Sequence, residues 1–137
     1  MRKHKKCGIV LIALLSVVVV FFSIKSFYYF KISSVKLPDD TKTIKMQTYV
    51  SDIYGTHVCA EKVVESELDY EQFIKCIREI NTDDNIKIYP VYKEGSKYSV
   101  WHDDYSVLLV NSIADREKEG KNYYLITNNT PYGSLFY

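Results

Sequence analysis

Residues 7–24, CGIVLIALLSVVVVFFSI, carry no charge, and only Gly8, Ser16 and Ser23 interrupt the apolar side chains. At about 1.5 Å per helical residue such a run spans roughly 27 Å, close to the hydrocarbon thickness of a bilayer. A helix satisfies its own backbone hydrogen bonds, so the run can sit in lipid, where an open strand cannot. A cleavable secretory signal has a shorter apolar core, about 7 to 15 residues, ending at a small-residue cleavage site. Here the core is longer, and it runs into Phe21, Phe22, Phe27 and Tyr28 with no such triplet. The expectation is therefore an uncleaved anchor.

The flanks refine that expectation. Arg2, Lys3, Lys5 and Lys6 crowd one edge, and Lys25, Phe27, Tyr28, Tyr29, Phe30 and Lys31 form an aromatic and lysine collar at the other. Amphipathic rings beside a span favour the headgroup level, and a tight basic cluster favours the cytoplasm. The sequence thus predicts a basic cytoplasmic tail over 1–6 and a transmembrane helix over 7–27. A collar and linker follow over 28–41, then an extracytoplasmic domain over 42–137. The predicted location is the plasma membrane, single-pass, with the amino terminus inside and the carboxy-terminal domain outside.

Charge separates the two halves. All 17 acidic residues follow Pro38, whereas six of the 18 lysines and arginines lie by Lys31. The remainder is net acidic, which argues against nucleic acid as a partner, since phosphate recognition needs clustered Lys and Arg. All 13 tyrosines follow the apolar run, as suits a half-buried sheet or a recognition surface.

Alternation predicts a strand over 43–50, with Ile44, Met46, Thr48 and Val50 on one face, and a second strand over 57–64. Asp69 reads as a helix N-cap with Gln72 as its capping-box partner. The helix over 70–80 then carries an apolar stripe of Phe73, Cys76, Ile77 and Ile80. Further strands are expected over 86–92, 98–102, 105–110 and 122–127. Pro90 places its strand on a sheet edge, because proline donates nothing to a ladder. The predicted class is α+β: one transmembrane helix, then a mostly antiparallel sheet of about five to six strands covered by one amphipathic helix. The last residues, 131–137, form either an edge strand or an apolar tail.

The stretch from Val35 to Asp40 after the anchor, with the capped helix start from Leu68 to Phe73, resembles the small, singly anchored proteins of Gram-positive bacteria. That likeness is architectural and implies no catalytic residue and no ligand.

Candidate chemistry is sparse. Cys59 and Cys76 are a possible disulfide if the domain lies in an oxidising compartment, or else two small buried thiols. His57 beside Cys59 lacks the further ligands of a zinc site and the third group of a thiol catalyst. Trp101, His102, Asp103 and Asp104 form the densest polar cluster, which reads first as a hairpin turn with exposed acids, because Asp is common in turns, and only second as a site for a cation or a sugar-like ligand. No phosphate loop, nucleophile elbow, zincin or EF-hand motif occurs, and no cofactor or metal is expected. The predicted role is a non-enzymatic extracytoplasmic binding or accessory domain. Its partners would be the bilayer and another membrane or envelope protein. The alternatives are a small anchored hydrolase or metal-dependent enzyme using His57, His102 and nearby acids, and an immunity-type or stress-linked protein acting through its transmembrane helix.

Overall fold

The computed structural model describes residues 2–51, 57–82, 85–94, 97–99, 113 and 119–127. Among these the chain forms helix α1 (Arg2–Ser33), strands β1 (Lys42–Ser51) and β2 (His57–Ser66), and helix α2 (Tyr70–Ile80). Strands β3 (Lys87–Pro90), β4 (Tyr92–Glu94), β5 (Lys97–Ser99) and β6 (Asn122–Thr127) follow. The class is α+β. The strands expected over 98–102 and 105–110 and the terminal segment 131–137 lie largely or wholly outside the described residues.

Among the described residues the sheet has four antiparallel strands in the order β1-β2-β6-β3, where five to six were expected; β4 and β5 pair separately as a hairpin. Pro90 sets that division. β3 sits at the edge, as a proline-bearing strand must. One last backbone bond, Val91 N–H to the Tyr123 carbonyl at 3.0 Å, carries the pairing past Pro90 before the chain leaves for the hairpin. β6 inserts between β2 and β3, so the sheet closes only when the far end of the described chain arrives.

Both faces of the sheet are covered, each by its own apolar cluster. Val58, Ala60 and Val64 of β2 join Tyr124 and Ile126 of β6 beneath Phe73 and Ile77 of α2. On the opposite face Val63 and Leu125 pack with Tyr98, Ile113 and Tyr123. Strict period-two alternation along the strands accounts for this partition. It also explains why β2 reads less cleanly than β1: a central strand buried on both sides need not alternate apolar with polar. Ile44 departs from expectation. The register of β1 against β2 skips between Thr43 and Lys45, and this bulge turns Ile44 toward the second cluster, away from Met46 and Val50. An extra residue in one strand moves its side chain to the other face.

Helix α2 starts where its cap predicts. The Gln72 N–H donates to Asp69 Oδ1 at 2.9 Å and the Asp69 N–H to Gln72 Oε1 at 3.3 Å. Phe73 and Ile77 are buried and Cys76 half-buried, but Ile80 is exposed, because the helix ends as it leaves the sheet.

Helix α1 is longer than the expected span of 7–27. With no proline before Pro38, nothing breaks it, and it continues to Ser33. The Ser16 and Ser23 hydroxyls donate back to the carbonyls of Ile12 and Val19 at 2.9 and 2.8 Å, so neither leaves an unsatisfied polar group on the apolar surface. α1 is long and apolar enough to cross a membrane, and none of its apolar window is buried in the domain.

Candidate functional site

Among the described residues two places bring polar or aromatic chemistry together: the junction of α1 with the sheet, and a cleft at the opposite end of α2.

At the junction, Ile24, Tyr28, Ile32 and Val35 form one stripe, three or four residues apart, that packs into the cluster under α2. Ile32 is wholly buried. The expected linker over 28–41 therefore does not begin at residue 28; its first turns are helical and belong to the core. The collar divides accordingly. Tyr28 is buried in protein, while Phe27, Tyr29 and Phe30 stay exposed. Lys31 lies over the Phe27 ring at 5.4 Å and Lys25 over Phe21 at 5.6 Å, contacts that hold each ammonium beside an aromatic face.

Two polar devices fasten the junction. Asn81, at the C-cap of α2, accepts from the Lys36 N–H at 2.9 Å and donates to the Lys36 carbonyl at 2.9 Å. Its amide also reaches the Ile77 carbonyl at 2.9 Å. Lys62 is 1% exposed on β2, and its Nζ donates to the Val35 carbonyl at 3.2 Å. Burial brings its pKa down from 10.5 to about 8, the direction in which desolvation always moves an ammonium.

On the other sheet face Glu61 is fully buried. It accepts from the Tyr49 hydroxyl at 2.8 Å and from Gln47 Nε2 at 3.2 Å. Glu65 accepts from the Tyr123 hydroxyl at 3.4 Å. These charge-assisted bonds are what a buried carboxylate requires. Asp40 ties the β2–α2 turn by accepting from the Glu67 N–H at 2.8 Å and the Ser66 hydroxyl at 3.0 Å. Burial alone would raise its pKa; the bonds from Glu67 and Ser66 outweigh it and leave the carboxyl below its ordinary value.

The cleft lies between the start of α2, the edge strand β3 and the β4–β5 hairpin. It encloses about 340 Å³ and is lined by five tyrosines, Tyr70, Tyr92, Tyr98, Tyr123 and Tyr124. Tyr124 stacks on Phe73 with centroids 4.3 Å apart and on Tyr70 at 6.0 Å. Its hydroxyl donates to the Leu68 carbonyl at 2.6 Å, and the Tyr70 hydroxyl to the Ile88 carbonyl at 3.0 Å. Burial, with the nearby charges of Asp69 and Asp40, pushes the Tyr124 phenol up to about 12. Lys93 sits over the Tyr98 ring at 5.6 Å, and Lys121 pairs with Glu67 at 2.6 Å.

Of the candidates named from sequence, Trp101, His102, Asp103 and Asp104 and the His57 side chain lie outside the described residues. Cys59 and Cys76 are not bridged in this structure. Cys59 occupies the β2 position opposite Tyr49, on the face turned away from α2, so the sheet stands between the two sulfurs. Among the described residues no group of three His, Cys, Asp or Glu side chains is placed to hold a metal ion.

Sequence reasoning missed the cleft and Lys62. The excess of tyrosine was the available signal for the cleft. Its assembly, however, needs residues 70, 92 and 124 brought together by the insertion of β6, which no local pattern encodes. No family model, no curated protein and no solved structure matches the chain.

Proposed function

We propose that this is a single-pass plasma-membrane protein, amino terminus cytoplasmic, whose α+β domain acts outside the membrane as a non-enzymatic binding or accessory domain. One observation carries the reading: α1 passes unbroken from its apolar stretch into the domain core, where Tyr28, Ile32 and Val35 are buried. A leader removed near Lys31 would take Ile24 and Tyr28 out of that cluster. A helix that remains fixes the domain directly against the lipid surface, with Phe27, Tyr29 and Phe30 at headgroup depth.

Such a placement suits a protein that presents a surface to a membrane or envelope partner. The experiment uses the full chain with a carboxy-terminal epitope. Carbonate washing should leave it in the membrane fraction, its amino-terminal sequence should be intact, and protease added to spheroplasts should remove the epitope. Extraction by carbonate, a mature start near Lys31, or an epitope protected until the cells are lysed would each overturn the proposal.

A further inference from the structure

Lys62 is buried in the middle of β2, between its cross-strand neighbours Met46 and Ile126, on the sheet face that carries the apolar cluster beneath α1 and α2. It makes a single hydrogen bond, to the Val35 carbonyl at 3.2 Å, and among the described residues it enters no ion pair. A buried ammonium with one acceptor destabilises a fold relative to an apolar side chain of similar volume. The best-attested use of such a group is to select one packing register over another.

Helix α1 offers an alternative register to select against. The side chains it seats on the sheet, Ile24, Tyr28 and Ile32, recur every four residues, and the next position back along that stripe is Val20. A slide of one turn, about 5.4 Å, would put Val20, Ile24 and Tyr28 into the same three seats. Each seat would again hold an apolar side chain, and apolar burial is non-directional, so it separates the two registers only by fit. One-turn ratchets of one packed element past another are an established form of two-state motion.

The polar groups separate them sharply. In the observed register Lys62 meets the carbonyl of Val35, two residues past the end of α1 at Ser33. Asn81 takes both the N–H and the carbonyl of the next residue, Lys36. After the slide Lys31 would occupy the seat of Val35. Its carbonyl already accepts from the Ser34 hydroxyl at 2.9 Å. Its side chain would set a second ammonium against Lys62, which keeps its charge at pH 7 because its pKa is about 8, and like charges repel. Asn81 would face Ile32, whose N–H lies inside the helical ladder. We infer that Lys62, together with Asn81, sets the register in which α1 docks on the sheet. The ammonium accepts only the free backbone just past the helix and repels the lysine that a slide would bring in its place.

This goes beyond the proposed role, and its test is independent of topology, because distances within the chain are the same on either side of a membrane. The full chain is placed in lipid nanodiscs with Cys7→Ser and Cys76→Ala as background and the buried Cys59 left in place. Nitroxides are attached through Ser26→Cys on α1 and Lys75→Cys on α2, both exposed positions. Double electron–electron resonance should give one narrow distance when Lys62 and Asn81 are present. Lys62→Met should add a second population, shifted by up to about 5 Å, one helical turn, while melting no lower than the parent chain. That pairing marks a positioning residue; a residue that merely held the fold together would broaden the distances only along with a fall in Tm. Asn81→Ala should add the same population at a lower Tm. One unchanged distance in Lys62→Met would overturn the inference, as would two populations in the parent chain. Should Lys62→Met fail to fold, Asn81→Ala decides, and one unchanged distance there overturns it equally.

Discussion

Replacing Lys62 with methionine should stabilise the protein. The side chain is 1% exposed, and its pKa falls from 10.5 to about 8. At about 1.36 kcal/mol per unit, the folded state disfavours the ammonium by about 3 kcal/mol relative to water. Methionine keeps an unbranched stem of similar length and removes the charge. It also removes the one donor this lysine gives to the Val35 carbonyl, at 3.2 Å, and an acceptor left without a partner costs about 1–3 kcal/mol. With a mid-range cost of about 2 kcal/mol for the orphaned carbonyl, the difference favours the variant by about 1 kcal/mol, which for a domain of this size raises Tm by roughly 5 °C.

The dependence on pH tests the cause. The folded pKa is the lower one, so between about 8 and 10.5 the unfolded chain binds more protons and wild-type stability rises with pH. Below about 7 both states hold the proton and the full penalty applies. Thermal unfolding of both proteins in zwitterionic micelles, followed by near-ultraviolet circular dichroism, should give a Tm gap that is largest at pH 7 and shrinks by pH 10. Tyrosine ionisation at the alkaline end acts on both proteins and cancels in the difference. A Lys62→Met chain that melts below wild type at pH 7, or a gap that ignores pH, would refute the reasoning.

Three further outcomes are expected. Asp40→Asn should cost about 1–2 kcal/mol at pH 6, because its carboxylate holds the Glu67 N–H and the Ser66 hydroxyl. Its pKa is depressed below 3.8, so wild-type stability drains away as pH falls through that lower value, and the Tm gap should close by pH 2. Asn81→Ala, which strips both bonds to Lys36, should lower stability by about 1–3 kcal/mol; faster hydrogen exchange at residues 34–37 than at β6 would locate the loss. A chain begun at Leu37 lacks Tyr28, Ile32 and Val35, whose burial contributes about 1.5–3 kcal/mol each. It should melt far below one begun at Ser26, and equal melting temperatures would show that the helix merely lies beside the domain.

The local devices were legible in the sequence. Asp69 with Gln72 announced the start of α2, Pro90 announced an edge, and the apolar run announced α1, because each rests on chemistry within a few residues. Ile44 was misplaced because a bulge carries no composition of its own; only the partner strand defines it. Two of the expected strands, over 98–102 and 105–110, lie largely outside the described residues, and within those described β4 and β5 pair only with each other. Residues 28–33 were read as collar and linker for a related reason. Tyrosine and isoleucine at helical spacing look alike whether they meet lipid headgroups or a sheet, and it is Val58, Ala60 and Phe73 that decide.

The same residues join α1 to the cleft. Tyr28 and Ile32 of α1 share one buried cluster with Phe73 and Tyr124, and Tyr124 in turn stacks against Tyr70 at the cleft. No flexible spacer intervenes between the apolar helix and the domain. With α1 in a bilayer as proposed, a flexible tether would let the domain sample every orientation above it, whereas a docked helix would fix the side that faces lipid and the side that faces away. The direction in which the cleft opens is therefore set by the packing of α1 on the sheet, so loosening Ile32 or Asn81 should alter the cleft's presentation before it alters its chemistry.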